Sequence, residues 1–304
     1  MPDASVFRFK QFCVSNEFSA LKVGTDAVLL GALASLPDGC SRVLDIGTGT
    51  GVIALMLAQR LAANRSKSRP HNSAGNTMEE QPRIATGSKP GGQPQCSVGK
   101  DFRITGIDID GPSAREAAAN FAASPWADSL EALECPLAEY NDKVWERPLA
   151  EHSQETPVFR QAKHRCEAGE KFDLIVSNPP FFDDSLQNPD SRESAARHSV
   201  SLTLSEICAF AAEHLAEGGH LALIVPAESA ASLRRTAASF SLAALRLVNI
   251  RTTERKPVRR VVAQFVLSRT PLTCVEQTLL LCDPTAPDGR TADYRSLVEP
   301  FLIR

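Results

Sequence analysis

The sequence predicts an α/β protein: a mostly parallel sheet with helices on both faces, closed by an antiparallel pair. Three observations carry that expectation. Short apolar runs alternate with longer amphipathic segments, the pattern of β-α-β units. "RVLDI" passes through "GTGTG" straight into "VIALMLAQRL", so strand, tight turn and helix follow one another without a linker. Near the end, "AALRLVNIR" and "RRVVAQFVLS" flank a short polar stretch, as hairpin neighbours do.

The elements follow in order. Val43, Leu44 and Ile46 make a short buried strand, and a helix begins near Val52 and is expected to end about Leu61. Residues 62–101 hold four prolines, five glycines and almost no large apolar residue. Such a segment cannot bury enough surface to offset its ordering entropy, so a disordered surface insertion is expected there. "FRITGIDID" is the next strand, and "GPSAREAAANFAASP" a helix with Pro112 in its first turn. "SLEALECP" is a third strand, and 146–170 reads as a second irregular insertion. "KFDLIVS" is a strand. "TLSEICAFAAEHLAEGG" is a helix with a Thr203/Glu206 capping box and a Gly218-Gly219 stop. "HLALIVP" is a strand, "AESAASLRRTAASF" a helix, and after the closing pair come a "QTLLLCD" strand and a "YRSLVEPFLI" helix.

Composition narrows the function classes. The 304 residues read as one domain, 1–304, with ordinary globular values of 43% hydrophobic and 23% charged. A net charge of −3 gives no global pull toward nucleic acid or membranes and leaves a local basic patch as the route to RNA. No run of about 18 apolar residues exists. The N-terminal "MPDASVFRFKQF" lacks a signal-peptide core, so a cytoplasmic location is expected. Eight cysteines are scattered with no C-x-x-C pair; buried reduced thiols are expected, and no metal site.

Asp45-Ile46-Gly47-Thr48-Gly49-Thr50-Gly51 is the first chemical signal. Its glycines let the backbone turn tightly and approach a ligand, and the helix N-terminus behind them adds free amides and a positive dipole end. The spacing is G-x-G-x-G rather than the dinucleotide G-x-G-x-x-G. With 62–101 set aside, Asp108 follows Asp45 by about 20 residues, the interval expected of a ribose-binding carboxylate. Asp108, with Ile109 beside it, is the candidate for the ribose hydroxyls. Asp45, Asp108 and Asn178 all fall at carboxyl ends of expected strands, where open α/β sheets bind ligands.

D-x-G-x-G-x-G resembles motif I of the class I S-adenosylmethionine-dependent methyltransferases. The resemblance implies a Rossmann-like, mostly parallel seven-stranded sheet. It implies that Asp45, Gly47, Thr48, Gly49 and Gly51 surround the methionine part of the cofactor. "SNPPFF" resembles motif IV of enzymes that methylate planar amino or amide nitrogens. By that resemblance Asn178, Pro179, Pro180 and Phe181 are the catalytic candidates. The Asn178 amide oxygen and a backbone carbonyl would accept the N–H groups of a poor nitrogen nucleophile. The prolines would stiffen the turn, and Phe181 or Phe182 would stack on the extruded base.

"FRFKQFCVSNEFSALKVGTDAVLLGALA", "IALMLAQR", "SPWADSL", "ARHSVSLTLSEI" and "KPVRRVVAQF" together resemble the tRNA1(Val) (adenine-37-N6)-methyltransferase family, over most of 6–304 outside the two insertions. This resemblance implies S-adenosylmethionine as cofactor, tRNA as partner, and Lys22, Thr25 and Asp26 as further pocket residues. Thr25 or Asp26 capping a helix is the alternative. The chain departs from the family at Phe181, often Tyr, and at Cys135-Pro136, where an acidic contact to the cofactor adenine is usual and Glu134 or Glu139 stands nearby. Arg251, Arg255, Lys256, Arg259 and Arg260, with Arg8, Lys10 and Arg197, are candidates for tRNA phosphates, and His198 for a substrate contact. Guanine-N2 methylation of rRNA, glutamine-N5 methylation of protein, and binding without catalysis remain open alternatives at this level.

Overall fold

The computed structural model describes residues 5–19, 22–68, 102–142, 171–180, 202–270 and 272–303. The main sheet contains β3 (Arg42–Ile46), β4 (Arg103–Asp108), β5 (Leu130–Glu134), β6 (Phe172–Ser177), β7 (Leu215–Pro226), β8 (Leu242–Arg251), β9 (Val258–Leu267) and β10 (Val275–Leu280). Their order across the sheet is β10-β8-β9-β7-β6-β3-β4-β5. From β5 to β7 all pairs are parallel. β9 runs antiparallel to β7 and to β8, the closing pair read from the sequence. The strand from "QTLLLCD" then adds parallel to β8 at the edge, making eight strands rather than seven.

The central strands are buried because helices cover both faces. Alternation along β6 shows it: Leu174 and Val176 join the core of one face, Ile175 that of the other. The first face carries α1 (Thr25–Leu33), α2 (Val52–Ser68), α3 (Gly111–Ala122) and α7 (Ala292–Val298). Leu30, Met56, Phe121 and Val298 pack there in one cluster. The second face carries α4 (Leu137–Asp142), α5 (Leu204–His214) and α6 (Ala230–Ser239), through Leu137, Phe210 and Leu233. No helix of the described residues is long and apolar enough to cross a membrane.

Several boundaries carry information. α3 has the expected proline in its first turn, and the structure adds an N-cap, Asp110, which accepts from the Ser113 amide. α5 has the Thr203/Glu206 capping box. It ends at His214, however, and Gly218-Gly219 lie inside β7 rather than stopping the helix. Phe172 pairs with Leu215 but Leu174 with His220, so the extra residues of β7 bulge at the glycine pair. α2 runs to Ser68, past the expected end at Leu61. The reason is contact: the Arg65 guanidinium lies 5.7 Å over the Phe102 ring and reaches the Cys40 carbonyl at 3.4 Å. The remainder of the first expected insertion, 69–101, and most of the second, 143–170, lie outside the described residues.

The N-terminal aromatics form an element not anticipated from the sequence. β1 (Val6–Arg8) and β2 (Cys13–Ser15) make a hairpin whose Phe9 and Phe12 rings stack at 4.4 Å. Phe9 bridges to Leu302, and the Lys10 amide donates to the Phe301 carbonyl at 2.7 Å. The first and last segments of the chain thus brace each other beside α2.

Because Arg65 and Phe102 touch, the two flanks of the first insertion already meet. Replacing 69–101 with a short Gly/Ser linker should leave cooperative unfolding intact, with Tm changed by less than about 4 °C. Calorimetry checks this; a broad, non-cooperative melt would show that the segment contributes to the core.

Candidate active site

The site is built from strand ends held in register. Ile46 pairs with Ile107 on one side and Ser177 on the other. The residues that follow, Gly47, Asp108 and Asn178, therefore emerge together at one edge of the sheet. The Ser177 hydroxyl donates to the Ile46 carbonyl at 2.8 Å and pins the end of β6 to the end of β3. After β5 the chain crosses to the far side of β3, so this edge is a topological switch point, where such sheets open a crevice.

The glycine turn is fixed from below. The amides of Gly47 and Thr48 both donate to the Ile107 carbonyl, at 2.9 and 3.0 Å. Gly51 has φ +79°, and a Cβ there would lie 2.4 Å from the Phe121 ring, so the turn needs glycine at that point. Gly47 has φ +70°, and a Cβ there would meet nothing within 4 Å, so the space over the turn is open.

Two carboxyl groups flank the turn. Asp45 is fully buried; its Oδ2 accepts from the Thr48 hydroxyl at 2.8 Å, while Oδ1 has no hydrogen-bond partner among the described residues. Burial pushes its carboxyl up to about 7, against the pull of the Thr48 hydroxyl, and the nearby Asp108 charge adds to the rise. Asp108 is half-buried and accepts from the Gly49 amide at 2.8 Å and the Asp110 amide at 2.9 Å. Burial raises it too, in spite of those amides. Ile109, next along, is 48% exposed and offers an apolar surface beside the carboxyl.

A third group was missed by sequence reasoning. Glu116, buried in α3, accepts at Oε1 from the Ser15 hydroxyl (2.9 Å) and the amides of Glu17 (2.6 Å) and Phe18 (3.1 Å). Its Oε2 accepts from the Ser19 amide at 2.7 Å. Burial works to raise this carboxyl, but the three amides and the hydroxyl outweigh it and hold it below its usual range. One turn on, Asn120 accepts from the Ser15 amide at 2.7 Å and donates to the carbonyls of Ser15 (3.0 Å) and Thr50 (2.9 Å). Together they strap Ser15–Ser19 across the glycine turn, with the Ser19 hydroxyl 3.6 Å from where a Gly49 Cβ would lie. The available signal was their spacing: Ser113, Glu116 and Asn120 form a polar stripe on one side of an alanine-rich helix.

The other candidates distribute as follows. Asn178 is half-exposed at the end of β6, Pro179 buried and Pro180 exposed; Phe181, Phe182, Arg197 and His198 lie outside the described residues. The Lys22 ammonium donates to the carbonyls of Asn16 (2.6 Å) and Glu17 (2.9 Å), so it braces the strap. Neither Thr25 nor Asp26 caps α1, whose N-cap is Gly24 without a side-chain bond. Both line a separate recess that contains no residue of the glycine turn, and Asp26 accepts from Arg260 Nε at 2.7 Å. Glu134 is exposed and pairs with Arg115 at 3.5 Å, Cys135 is buried, and Glu139 sits in the first turn of α4. Of the basic candidates, Lys10 pairs with Glu299 at 2.6 Å, and Arg251 donates to the carbonyls of Glu254 and Lys256 to shape the β8–β9 turn.

A glycine turn after the central strand, an acidic residue after the next, and this strand order define the Rossmann-like class I methyltransferase fold. A solved structure described as a predicted O-methyltransferase from Agrobacterium tumefaciens has the same fold, with TM-score 0.55 and 19% identity over 91% of this chain and 96% of that one. No protein-family model matches the chain. A tRNA1(Val) (adenine(37)-N6)-methyltransferase from Porphyromonas gingivalis is 34% identical over 97% of this chain and 94% of its own length. One of the same name from Bacteroides thetaiotaomicron is 33% identical over 98% and 97%. The chain belongs to the tRNA1(Val) (adenine(37)-N6)-methyltransferase family.

The raised carboxyl of Asp45 has a consequence for stability. A carboxyl whose folded pKa lies above its unfolded value of about 4 stabilises the fold below that pH, and the contribution is lost as pH rises through about 7. Without ligand, the wild-type protein should lose more Tm between about pH 5 and pH 8 than Asp45→Asn does. Parallel Tm–pH profiles for the two proteins would contradict this reading of Asp45.

Proposed function

We propose that this protein transfers a methyl group from S-adenosylmethionine to N6 of adenine 37, beside the anticodon of a valine tRNA, in the cytoplasm. The carrying observation is Asn178-Pro179-Pro180 at the end of β6, level with the glycine turn of β3, in a chain of this family. The relatives' names specify adenine, and so favour it over guanine-N2 or glutamine-N5 chemistry on the same fold.

The residues present fit the cofactor. Open space lies over Gly47, Asp45 Oδ1 is an unmet buried acceptor, and the Asp108 carboxyl stands beside exposed Ile109. Asp45, Gly47, Thr48, Gly49 and Gly51 would hold its methionine part, Asp108 its ribose, and Ile109 its adenine. Lys22 serves by bracing the strap over the turn. When bound, S-adenosylmethionine supplies an electrophilic methyl group.

The chain's own task is to make a poor nucleophile attack. The adenine N6 lone pair is delocalised into the ring. The Asn178 amide oxygen accepts one N–H and a backbone carbonyl of the same turn accepts the other, which favours the pyramidal nitrogen of the transition state. Pro179 and Pro180 fix φ on either side and donate no hydrogen bond of their own. Phe181, outside the described residues, would supply a face for the flipped base. No strong general base is required, because the nitrogen gains positive charge only as it attacks, and the proton then leaves to solvent.

Asn178→Ala should lower kcat by at least about 100-fold, about 3 kcal/mol of transition-state stabilisation, with the Kd for S-adenosylmethionine within about threefold of wild type. Kinetics on a tRNA transcript with calorimetric cofactor titration test it. Wild-type turnover in the variant would remove Asn178 from the mechanism.

A further inference from the structure

We propose that a second recess on the same edge of the sheet holds a nucleotide flanking the target adenine; this rests on the tRNA reading above. The recess has a volume of about 420 Å³, within the range of small-molecule sites. Its floor is apolar, formed by buried Leu29 and Ile250 with Leu281 beside them. Its rim is polar and basic: Asp26, Arg259 and Arg260. A flat base against aliphatic side chains with a phosphate at a guanidinium is the ligand this division suits.

Two guanidinium groups, of Arg259 and Arg260, line the recess. Arg260 is held by Asp26 at 2.7 Å, and its Nη1 donates to the Arg259 carbonyl at 3.1 Å, so its guanidinium is fixed. Arg259 has no ion pair or side-chain hydrogen bond among the described residues, and neither have Arg255 and Lys256 in the adjoining β8–β9 turn. Arg259 thus stands at the recess without a side-chain partner among the described residues, and the acidic residue of the lining, Asp26, is already paired with Arg260.

The location is the second argument. Arg260 pairs with Pro226 at the carboxyl end of β7, and β7 lies next to β6, which ends at Ser177-Asn178. Two strand spacings, about 10 Å along the sheet edge, separate the near rim of the recess, at Arg259 and Arg260 on β9, from β6. Stacked nucleotides cover that in about three steps of 3.4 Å, and an extended strand in fewer. An RNA strand with its adenine at Asn178 therefore reaches the near rim of the recess, at Arg259 and Arg260, with a nucleotide within about three positions of the target. The same placement moves Thr25 and Asp26 from the cofactor to the RNA.

The test uses an anticodon stem-loop RNA with adenine at position 37, and variants of it with one abasic residue within three positions of that adenine. Thr252→Trp fills the recess from its exposed rim, and Arg259→Ala removes the guanidinium that has no side-chain partner among the described residues. Each should raise KM for the intact RNA about tenfold while the Kd for S-adenosylmethionine stays within about twofold. Arg259→Ala should also reduce the slope of log affinity against log salt by about 1. One abasic position should cost the wild type about tenfold in KM but cost Thr252→Trp nothing further. Wild-type KM in both variants, or an equal abasic penalty in Thr252→Trp and wild type, overturns the proposal. Loss of cofactor affinity in Arg259→Ala returns the recess to the cofactor and overturns it equally. If the wild type forms no N6-methyladenosine in the stem-loop, the tRNA reading itself fails and the recess proposal falls with it.

Discussion

Everything in this site depends on the register of β3 between β4 and β6. Because Ile46 stands opposite both Ile107 and Ser177, three chain segments leave the sheet at one level. A slip of one residue would exchange the two faces of the strand and separate the glycine turn from Asn178. The register is secured by side chains on both faces, by the Ser177–Ile46 hydrogen bond, and by the two amides of the turn that share the Ile107 carbonyl. None of these groups performs chemistry, yet each fixes where the reacting groups stand.

Around that frame the protein concentrates costly features. Asp45 is buried with its Oδ1 lacking a hydrogen-bond partner among the described residues, and Gly51 occupies a left-handed conformation against an aromatic ring. Unmet buried acceptors are uncommon and commonly mark a binding site. Here the neighbours that offset the cost are the Thr48 hydroxyl and the tight packing of α2 and α3. The strap of Ser15–Ser19 adds a second fixed wall, fastened by one carboxylate and one amide from the same helix. α3 therefore touches the glycine turn, the strap and the Asp108 carboxyl together, through Asn120, Glu116 and its N-cap Asp110.

How much of this the sequence revealed follows from range. Contiguous motifs were legible: the strand–glycine–helix run, the Thr203/Glu206 capping box, the closing hairpin, and Asn-Pro-Pro at a strand end. Features set by distant partners were not. Glu116 drew no reading from the sequence, because its four donors lie about a hundred residues away. The Gly218-Gly219 pair looked like a helix stop, since the register shift that uses it is set by β6. Helix α2 outran its expected end because Arg65 finds Phe102 across the insertion. The recess that Thr25 and Asp26 line could not be read either, since Arg260, far along the chain, completes it.

The central claim is that this edge presents an adenine amino group, in tRNA, to the cofactor methyl. The measurement that tests it most directly is methyl transfer from labelled S-adenosylmethionine to unmodified total tRNA and, separately, to ribosomal RNA, with the product nucleosides identified by mass spectrometry. The account predicts N6-methyladenosine in the tRNA fraction alone. N2-methylguanosine in ribosomal RNA would keep the fold and contradict the substrate, and label in neither RNA would contradict the account of the site as an RNA methyltransferase.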